Sequence, residues 1–562
     1  MIPTMQKEWK LREQVPSETI LDLGTNDLEA QLLFSRGIRT AKQRRDFLED
    51  SSGPYHDPFL LPHMDQAIKR LVQAINRHER IGIFGDFDVD GITATAILVQ
   101  GLKTLKAKLA PYIPHRVEEG HGLNAGAIQV LHQSHVKLLI TVDCGITSVP
   151  EVAQASDLNM DVIITDHHSP PPLLPAAHSL IDPKLAHSNY PFSELTGAGL
   201  ALKLMDALYK HLKRELTPGL RGLAAIGTIA DVAPLIDENR TIVKQGLSEL
   251  KSNVSLGMQS LYETANLLPE SLNTEAISFS LAPRLNASGR LHHAETSFNL
   301  LTTSNPNDAK ALAMELEKHN SERRSMTDTL LDIALKKIGP IDDAPIILVS
   351  GEEFVPGISG LIASRLVDRF YRPAIVMSLD ESTIRASGRS IPEFDLVQSL
   401  YQCADLFERM GGHPMAAGFV MNQVRLQELY ERLTDAADQQ FSGSKPISSI
   451  WVDCEMTPSD LMGEPINLID RLEPFGSGNP APTFLAKGIL VKQTRLVGNR
   501  GQHLMLKLHD GHSQWNAIAF NQGQDVTSDR IDMVYNITKQ LWQGRQVMSI
   551  RILDFHESTT RR

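Results

Sequence analysis

The 562-residue sequence has only three cysteines, Cys144, Cys403 and Cys454, far apart along the chain. That excludes a disulfide framework and a cysteine-built zinc knuckle, and a reducing cytoplasm is the expected compartment. No apolar run is long enough to cross a bilayer. Residues 1–10, MIPTMQKEWK, lack the apolar core of a signal peptide, so no membrane association is expected. Positive charge is also in short supply, with 55 Lys and Arg against 67 Asp and Glu and a net charge of −12. A protein that coats nucleic acid nonspecifically is therefore disfavoured, although a local basic path is not, because distribution decides binding. The remaining composition is that of a globular protein, with length for about three to four domains.

Against this background one stretch stands out, Ile81-Gly-Ile-Phe-Gly-Asp86-Phe-Asp88-Val-Asp90-Gly91. Its apolar start predicts a buried strand, and Thr93 to Leu105 predicts a helix. Three carboxylates thus fall just past a strand, where open α/β sheets place their ligand crevice. That much negative charge in one turn is unfavourable without a neutralising cation. Taken alone, the stretch reads equally as a solvated acidic loop. It also resembles the start of a calcium loop, but the later ligands of such a loop do not follow.

Repetition lifts the pattern above background. Val136 to Val142 predicts a strand that ends in Asp143-Cys144-Gly145, and Val162 to Thr165 another that ends in Asp166-His167-His168. Helical stretches between them predict a parallel, doubly wound sheet. Residues 197–236 read as helical and deliver Asp231 among Ala, Ile, Val and Pro. Such an acid is either a helix cap, half of a buried ion pair, or a fourth carboxylate for the crevice.

Farther on, Pro283-Arg284-Leu-Asn286-Ala-Ser288-Gly-Arg290 offers two guanidinium forks suited to phosphate; ordinary surface arginines are the alternative. Asp308 to Ile338 predicts one long helix whose middle, Glu317 to Asp328, is nearly all polar, as in helices that bridge domains; Pro340 ends it. A second α/β unit follows, with strands at 345–349 and 374–377, a Gly-rich helix entry at 356–365, and the small-residue segments 386–390 and 411–418, weak signals that would let a backbone approach phosphate. Residues 435–449 read as a linker. The rest predicts short strands at 488–497, 503–508, 515–520 and 547–555, a small OB-type barrel. Arg495, Arg500, Lys507, Arg545 and Arg551 with Trp515, Tyr535 and Trp542 would give it a basic face with stacking rings; a barrel used only for packing is the plainer alternative.

From about residue 30 to the end, these ordered motifs resemble the RecJ family of the DHH phosphoesterase superfamily. The likeness is carried by Gly85 to Gly91, Val142 to Gly145, Asp166-His167-His168, Asp231 to Leu235, Pro283 to Arg290, Gly411-Gly412-His413 and Leu472 to Asn479. The resemblance implies an N-terminal helical extension (1–60), a DHH catalytic domain (61–305), a connecting helix (306–340), a DHHA1-type α/β substrate-binding domain (341–440) and an OB-fold nucleic-acid-binding domain (441–562). It implies a metal-dependent exonuclease that degrades single-stranded DNA 5′→3′ to mononucleotides in recombination and repair. Two divalent ions, Mn2+ or Mg2+, are implied on Asp88, Asp90, Asp143, His167 and Asp231, with Asp143 bridging. Asp166 would orient a histidine, and His168 would contact the phosphate or assist the leaving oxygen. Asp86 would hold the loop or bias a water. Arg116, Arg284, Arg290, Ser387, Arg389 and His413 match the family's substrate-binding positions. A narrow channel between the two α/β domains is expected to exclude duplex. Single-strand-binding protein and a RecQ-like helicase are implied partners. Two departures stand out: Phe354-Val355 occupies positions where the family commonly has Trp-His, and Ser288 stands where alanine is usual.

Two rival activities remain open to the sequence. A sister DHH phosphodiesterase would act on short oligonucleotides or cyclic dinucleotides, but such relatives generally lack the barrel. A pyrophosphatase would place histidine where Phe84 stands. A non-enzymatic DNA clamp would have lost metal ligands that are all present here.

Overall fold

A computed structural model describes residues 7–49, 53–339, 344–443, 445–498, 501–523, 526, 528–542 and 545–558. They fall into two compact units. The larger comprises Trp9–Gly289, His293–Glu317 and Trp451–Arg562; the smaller centres on Lys318–Ile450 and includes Arg290–His292.

The larger unit begins inside a strand, Glu8–Leu11, and continues in short helices, Ser17–Leu23, Asp27–Phe34 and Ala41–Leu48, where the sequence predicts helix and loop. Its centre is a five-stranded sheet of β1 (Arg80–Phe84), β2 (Lys108–Tyr112), β3 (Val136–Val142), β4 (Asp161–Thr165) and β5 (Ser179–Ile181), in the order β2-β1-β3-β4-β5, every pairing parallel. Covered on both faces, β1 and β3 read as nearly continuous apolar runs. The order reverses direction between β1 and β3, and this switch point opens a crevice at the C-terminal strand ends. Helix α1 (Val89–Thr104) follows β1; it is apolar around most of its surface because it is buried around most of it. It starts earlier than the sequence predicts. Asp88 is its N-cap and Asp90 lies in its first turn, so these carboxylates belong to a helix start rather than to a loop. Helices α2 (Gly197–His211) and α3 (Leu220–Ala230) pack against α1. Residues 282–291 form helix α4 (Ala282–Leu291), entered through a π-helical turn, Ile277–Leu281.

Helix α5 (Pro306–Ile338) contributes residues to both units; Pro340 lies outside the described residues. Its centre is not polar all round in its surroundings: His319, Asn320 and Thr327 are buried on the same stripe as Leu316, Leu330 and Ala334. In the smaller unit, β6 (Ile347–Gly351), α6 (Pro356–Phe370), β7 (Ala374–Asp380), β8 (Thr383–Arg389), β9 (Phe407–His413) and β10 (Ala416–Asn422) form a sheet ordered β9-β10-β8-β7-β6. Only β6–β7 is parallel. The small-residue segments around Gly388 and Gly411–Gly412 are thus strands rather than glycine turns. Helix α7 (Leu426–Phe441) occupies half of the expected linker, because Leu429, Leu433, Ala436 and Ala437 bury an apolar stripe.

The C-terminal part of the larger unit is a closed five-stranded barrel: β11 (Phe484–Val497), β12 (His503–His509), β13 (Gln514–Ala519), β14 (Arg530–Trp542) and β15 (Arg545–Glu557), ordered β11-β12-β13-β15-β14 with β11 pairing β14. The sequence reading missed β14. Period-2 alternation sends Leu504, Leu506 and Leu508 inward and leaves Met505 and Lys507 outward. Buried Arg240 ties the catalytic part to the barrel's entry segment by donating to the carbonyls of Leu472 (3.0 Å) and Glu473 (2.7 Å). No helix among the described residues is long and apolar enough to cross a membrane.

Candidate active site

Four elements deliver the acids and histidines. The turn from β1 into α1 supplies Asp86, Asp88 and Asp90; the ends of β3 and β4 supply Asp143 and Asp166-His167-His168; Asp231 follows α3. Backbone donors hold most of them. The Asp88 carboxylate accepts from the Gly91 N–H (3.1 Å) as an N-cap. Both oxygens of Asp90 accept from the first turn of α2, Gly197 N–H at 2.6 Å and Ala198 N–H at 2.9 Å, where the helix dipole also favours negative charge. Asp143 sits at φ 61°, a left-handed conformation that is costly for a residue with a side chain and typical of functional sites. Two glycines make room. A Cβ on Gly91 would lie 2.6 Å from the Asp86 backbone nitrogen, and one on Gly197 would lie 2.5 Å from the Asp143 Cβ.

The donor atoms converge. Those of Asp86, Asp88 and Asp143 lie within 4.8 Å of one another, as do those of Asp90, His167 and Asp231, and those of Asp143, His167 and His168. His167 Nε2 is 3.0 Å from Asp143 Oδ1 and 3.9 Å from Asp90 Oδ2. All five residues predicted as metal ligands are therefore brought together. Asp231 is solvent-exposed as a residue, although its carboxyl group is largely enclosed by the cluster.

The electrostatics point to missing positive charge. Burial, and then the neighbouring carboxylates, push Asp143 well above the usual range, Asp90 to about 7 and Asp231 to about 8; Asp88 is raised by burial and Asp86. Burial and then the His168 charge drive His167 down to about 3, which keeps its imidazole neutral. One Asp86 oxygen is buried with no hydrogen-bond partner. Crowded carboxylates, a neutral imidazole and an orphaned carboxylate oxygen form a donor set for hard divalent cations.

Around this core sit Asp166 and His121, which belong to none of these groupings, and His168, which belongs to one. Burial would raise Asp166, but the hydrogen bond and charge of His168 outweigh it, with further help from the Ile146 N–H, and hold it at about 2. Its Oδ1 lies 2.7 Å from His168 Nδ1 and also accepts from the His167 N–H (2.8 Å). The expected histidine-orienting role thus falls on His168. Sequence reasoning missed His121, whose Nδ1 lies 2.9 Å from Asp86 Oδ2 and whose pKa that bond lifts to about 9 against burial. Its only signal was a histidine between two glycines, Gly120-His121-Gly122.

The predicted phosphate-binding residues are distributed. Half-buried Arg116 lies over the Phe87 ring (4.7 Å), close enough to feel Asp86 and Asp88. Arg284 is engaged by Glu317 (2.5 Å) and the Ser280 carbonyl (2.7 Å). The others belong to the smaller unit. Arg290 donates to the Gly357 carbonyl at the start of α6 (3.3 Å), and the Arg389 guanidinium packs against Gly360 one turn later. Across the sheet, Arg389 pairs in register with Ala416, and Ala416 with His413. Ser387 lies two residues back on β8, facing the same way as Arg389. At the departures from the family pattern, Phe354 is buried and Val355 is the N-cap of α6, while Ser288 is buried and hydrogen-bonds the Ser297 hydroxyl at 2.9 Å.

On the barrel, Arg495 and Lys507 are exposed, as expected. Arg551 pairs with Glu275 (2.8 Å) and lies 5.4 Å from the Phe520 ring centroid. The expected stacking rings are core. Tyr535 is fully buried and donates to the Met456 carbonyl, and Trp515 is buried and donates to Asp510. Their alternation with polar neighbours points them inward. Arg500 and the side chains of Trp542 and Arg545 lie outside the described residues.

A parallel sheet with acid-rich strand ends at its switch point, followed by a second α/β sheet and a closed barrel, defines a DHH-type phosphoesterase. Residues 80–228 match the DHH family, N-terminal domain; residues 342–443 match the DHHA1 domain; residues 452–554 match the RecJ OB domain. The chain is 38% identical to the single-stranded-DNA-specific exonuclease RecJ of Bacillus subtilis over 94% of its own length and 67% of that protein's, and 31% identical to the Escherichia coli protein of the same name over 98% and 99%. The crystal structure of Thermus thermophilus RecJ in complex with Mn2+ superposes with a TM-score of 0.84 at 29% identity, covering 98% of this chain and 80% of that one. The chain belongs to the RecJ family.

Proposed function

We propose that this protein is a divalent-metal-dependent exonuclease that degrades single-stranded DNA from the 5′ end to 5′-mononucleotides, in recombination and repair. The observation that carries the reading is the convergence of Asp88, Asp90, Asp143, His167 and Asp231 at the switch point of the sheet. The relatives' shared name, single-stranded-DNA-specific exonuclease, supplies the substrate.

In this reading those five residues would hold two ions, Mn2+ or Mg2+, and Asp143, the one carboxylate that belongs to two of the three groupings, would serve both. Bound there, divalent cations would supply Lewis-acid neutralisation of the scissile phosphate and a nucleophile at neutral pH. The chain's own residues do the rest. Gly197 and Ala198 N–H groups fix Asp90, and the left-handed turn at Asp143 aims its carboxylate at His167. Asp166 holds His168 through Nδ1 and favours its protonated form, leaving Nε2 to donate to a phosphate oxygen or the departing O3′. Arg116, Arg284, Arg290, Ser387, Arg389 and His413 are the proposed contacts to the strand and its 5′ phosphate. The functional division follows 61–305 for catalysis, 341–440 for substrate and 441–562 for nucleic acid, with 1–60 as an extension and 306–340 as the connecting helix. A cytoplasmic setting, a single-strand-binding protein and a RecQ-like helicase complete the proposal.

The test is digestion of a 5′-phosphorylated single strand labelled at either end, in Mn2+, Mg2+ or EDTA, beside Asp143→Ala. Metal-dependent release of mononucleotides from the 5′ end, absent in the variant, is expected. Cleavage of dinucleotides alone would move the assignment to a short-oligonucleotide phosphodiesterase, and binding without cleavage to a clamp.

A further inference from the structure

Lys184 is a cation beside the acidic cluster that pairs with none of it. It follows β5, whose Ile181 is in register with Thr165 of β4. The Asp166 N–H donates to the Ile181 carbonyl, so the two strand ends stay side by side, about 4.8 Å apart. Counting outward, Lys184 is the third residue past its strand, as His168 is past its own. Asp182 fixes the turn: it is fully buried, and its Oδ1 accepts from the Lys184 N–H at 2.7 Å. The side chain is half-buried, and its Nζ makes no hydrogen bond or ion pair with any described residue. Its charge nonetheless reaches His167, Asp231 and Asp182. A lysine usually swings onto a nearby carboxylate. One that is anchored at its backbone, half-buried and unpaired at the rim of a phosphate-cleaving centre is available to an anionic ligand.

We infer that Lys184 contacts a non-bridging phosphate oxygen of the bound strand, on the His167–Asp231 side of the centre. This inference rests on the nuclease reading. Lysine suits the task as a compact point charge that follows a phosphate without demanding the bidentate geometry of arginine. Its contribution is ionic and independent of base sequence, because phosphate contacts position the strand and carry no sequence information.

The experiment measures binding of a 5′-phosphorylated oligothymidylate, with Ca2+ in place of the catalytic ions, as a function of salt. Wild type, Lys184→Gln and Lys184→Arg are compared, and thermal unfolding checks that the variants are folded. Removing one lysine–phosphate interaction with a single strand lowers the slope of log K against log salt by about 0.7. Lys184→Gln should show that decrease and Lys184→Arg should restore the wild-type slope. A neutral methylphosphonate walked along the first few linkages should weaken wild type at one position where Lys184→Gln loses nothing further. An unchanged slope in Lys184→Gln, or methylphosphonate losses identical in both proteins at every position, would overturn the assignment. Failure of wild type itself to bind the strand would sink the nuclease reading, and Lys184's role with it.

Discussion

The strand-end cluster and the outer face of the barrel hold charge in opposite ways. In the cluster, Asp86, Asp90 and Asp143 are buried, Asp88 and Asp90 are pinned by backbone N–H groups, and glycines that leave no room for a Cβ pack against Asp86 and Asp143. On the barrel, Arg495 and Lys507 stand in solvent on a regular ladder, and any residue of similar reach could replace them. The difference is the one that the two proposed ligands would impose. Hard divalent ions need several oxygens within a few ångströms, placed beforehand against their own repulsion. A sliding polyanion needs only positive charge within reach of its backbone. The first demand writes itself into the fold; the second does not.

Substitutions should separate these two kinds of site. The largest effect is expected at Asp143, the carboxylate common to two donor groupings. Asp143→Ala should lower turnover by about 10³-fold or more, roughly 4 kcal/mol in barrier, while circular dichroism reports an intact fold. Trp515 tests whether the barrel's aromatics are surface or core. As a core ring, its loss in Trp515→Ala should cost about 3–5 kcal/mol, read as a fall in melting temperature; a stacking ring on the surface would weaken DNA binding and leave melting unchanged. Gly197→Ala probes how tightly the cluster is built. The added methyl would press on Asp143, so Mn2+ affinity measured by calorimetry should drop about 10–100-fold, the range seen when a supporting residue is removed.

Smaller effects should follow on the barrel. Burial would raise Asp510, but hydrogen bonds from Ser459, Ser513 and His512 outweigh it and hold it at about 2. A carboxyl depressed in the folded state contributes stability above its ordinary value, and that stability is lost as pH falls through the folded value. Urea unfolding between pH 5 and pH 2 should therefore show an acid-labile component that Asp510→Asn removes. Least of all, Arg495→Gln and Lys507→Gln should each reduce the salt slope of DNA binding by about 0.7, with no change in single-turnover cleavage of bound strand.

The central sheet and the convergence of its candidate ligands were legible because buried parallel strands are written as apolar runs, and because the same acid-or-histidine ending occurs after Phe84, Val142 and Thr165. Asp231 was legible for a weaker reason, an acid among apolar neighbours, and it proved exposed. What misled was alternation. Trp515 and Tyr535 belong to period-2 strands, and a list of aromatic and basic residues does not say which face each occupies until register is known. Strand β14 carried an alternating signal, Ile531, Met533, Tyr535 and Ile537 after the polar Thr527-Ser528-Asp529, that the sequence reading passed over. The Gly-rich segments of the smaller sheet looked like turns because glycine is far commoner there than in strands. His121 was invisible for lack of any pattern: its role depends on the β2–α1 geometry that brings it to Asp86.

The central claim is that the strand ends hold two divalent ions. Crystals soaked in Mn2+ and measured at the manganese absorption edge test it most directly. Two anomalous peaks a few ångströms apart are expected, enclosed by Asp88, Asp90, Asp143, His167 and Asp231, with Asp143 touching both. A single peak, or peaks outside these side chains, would contradict it.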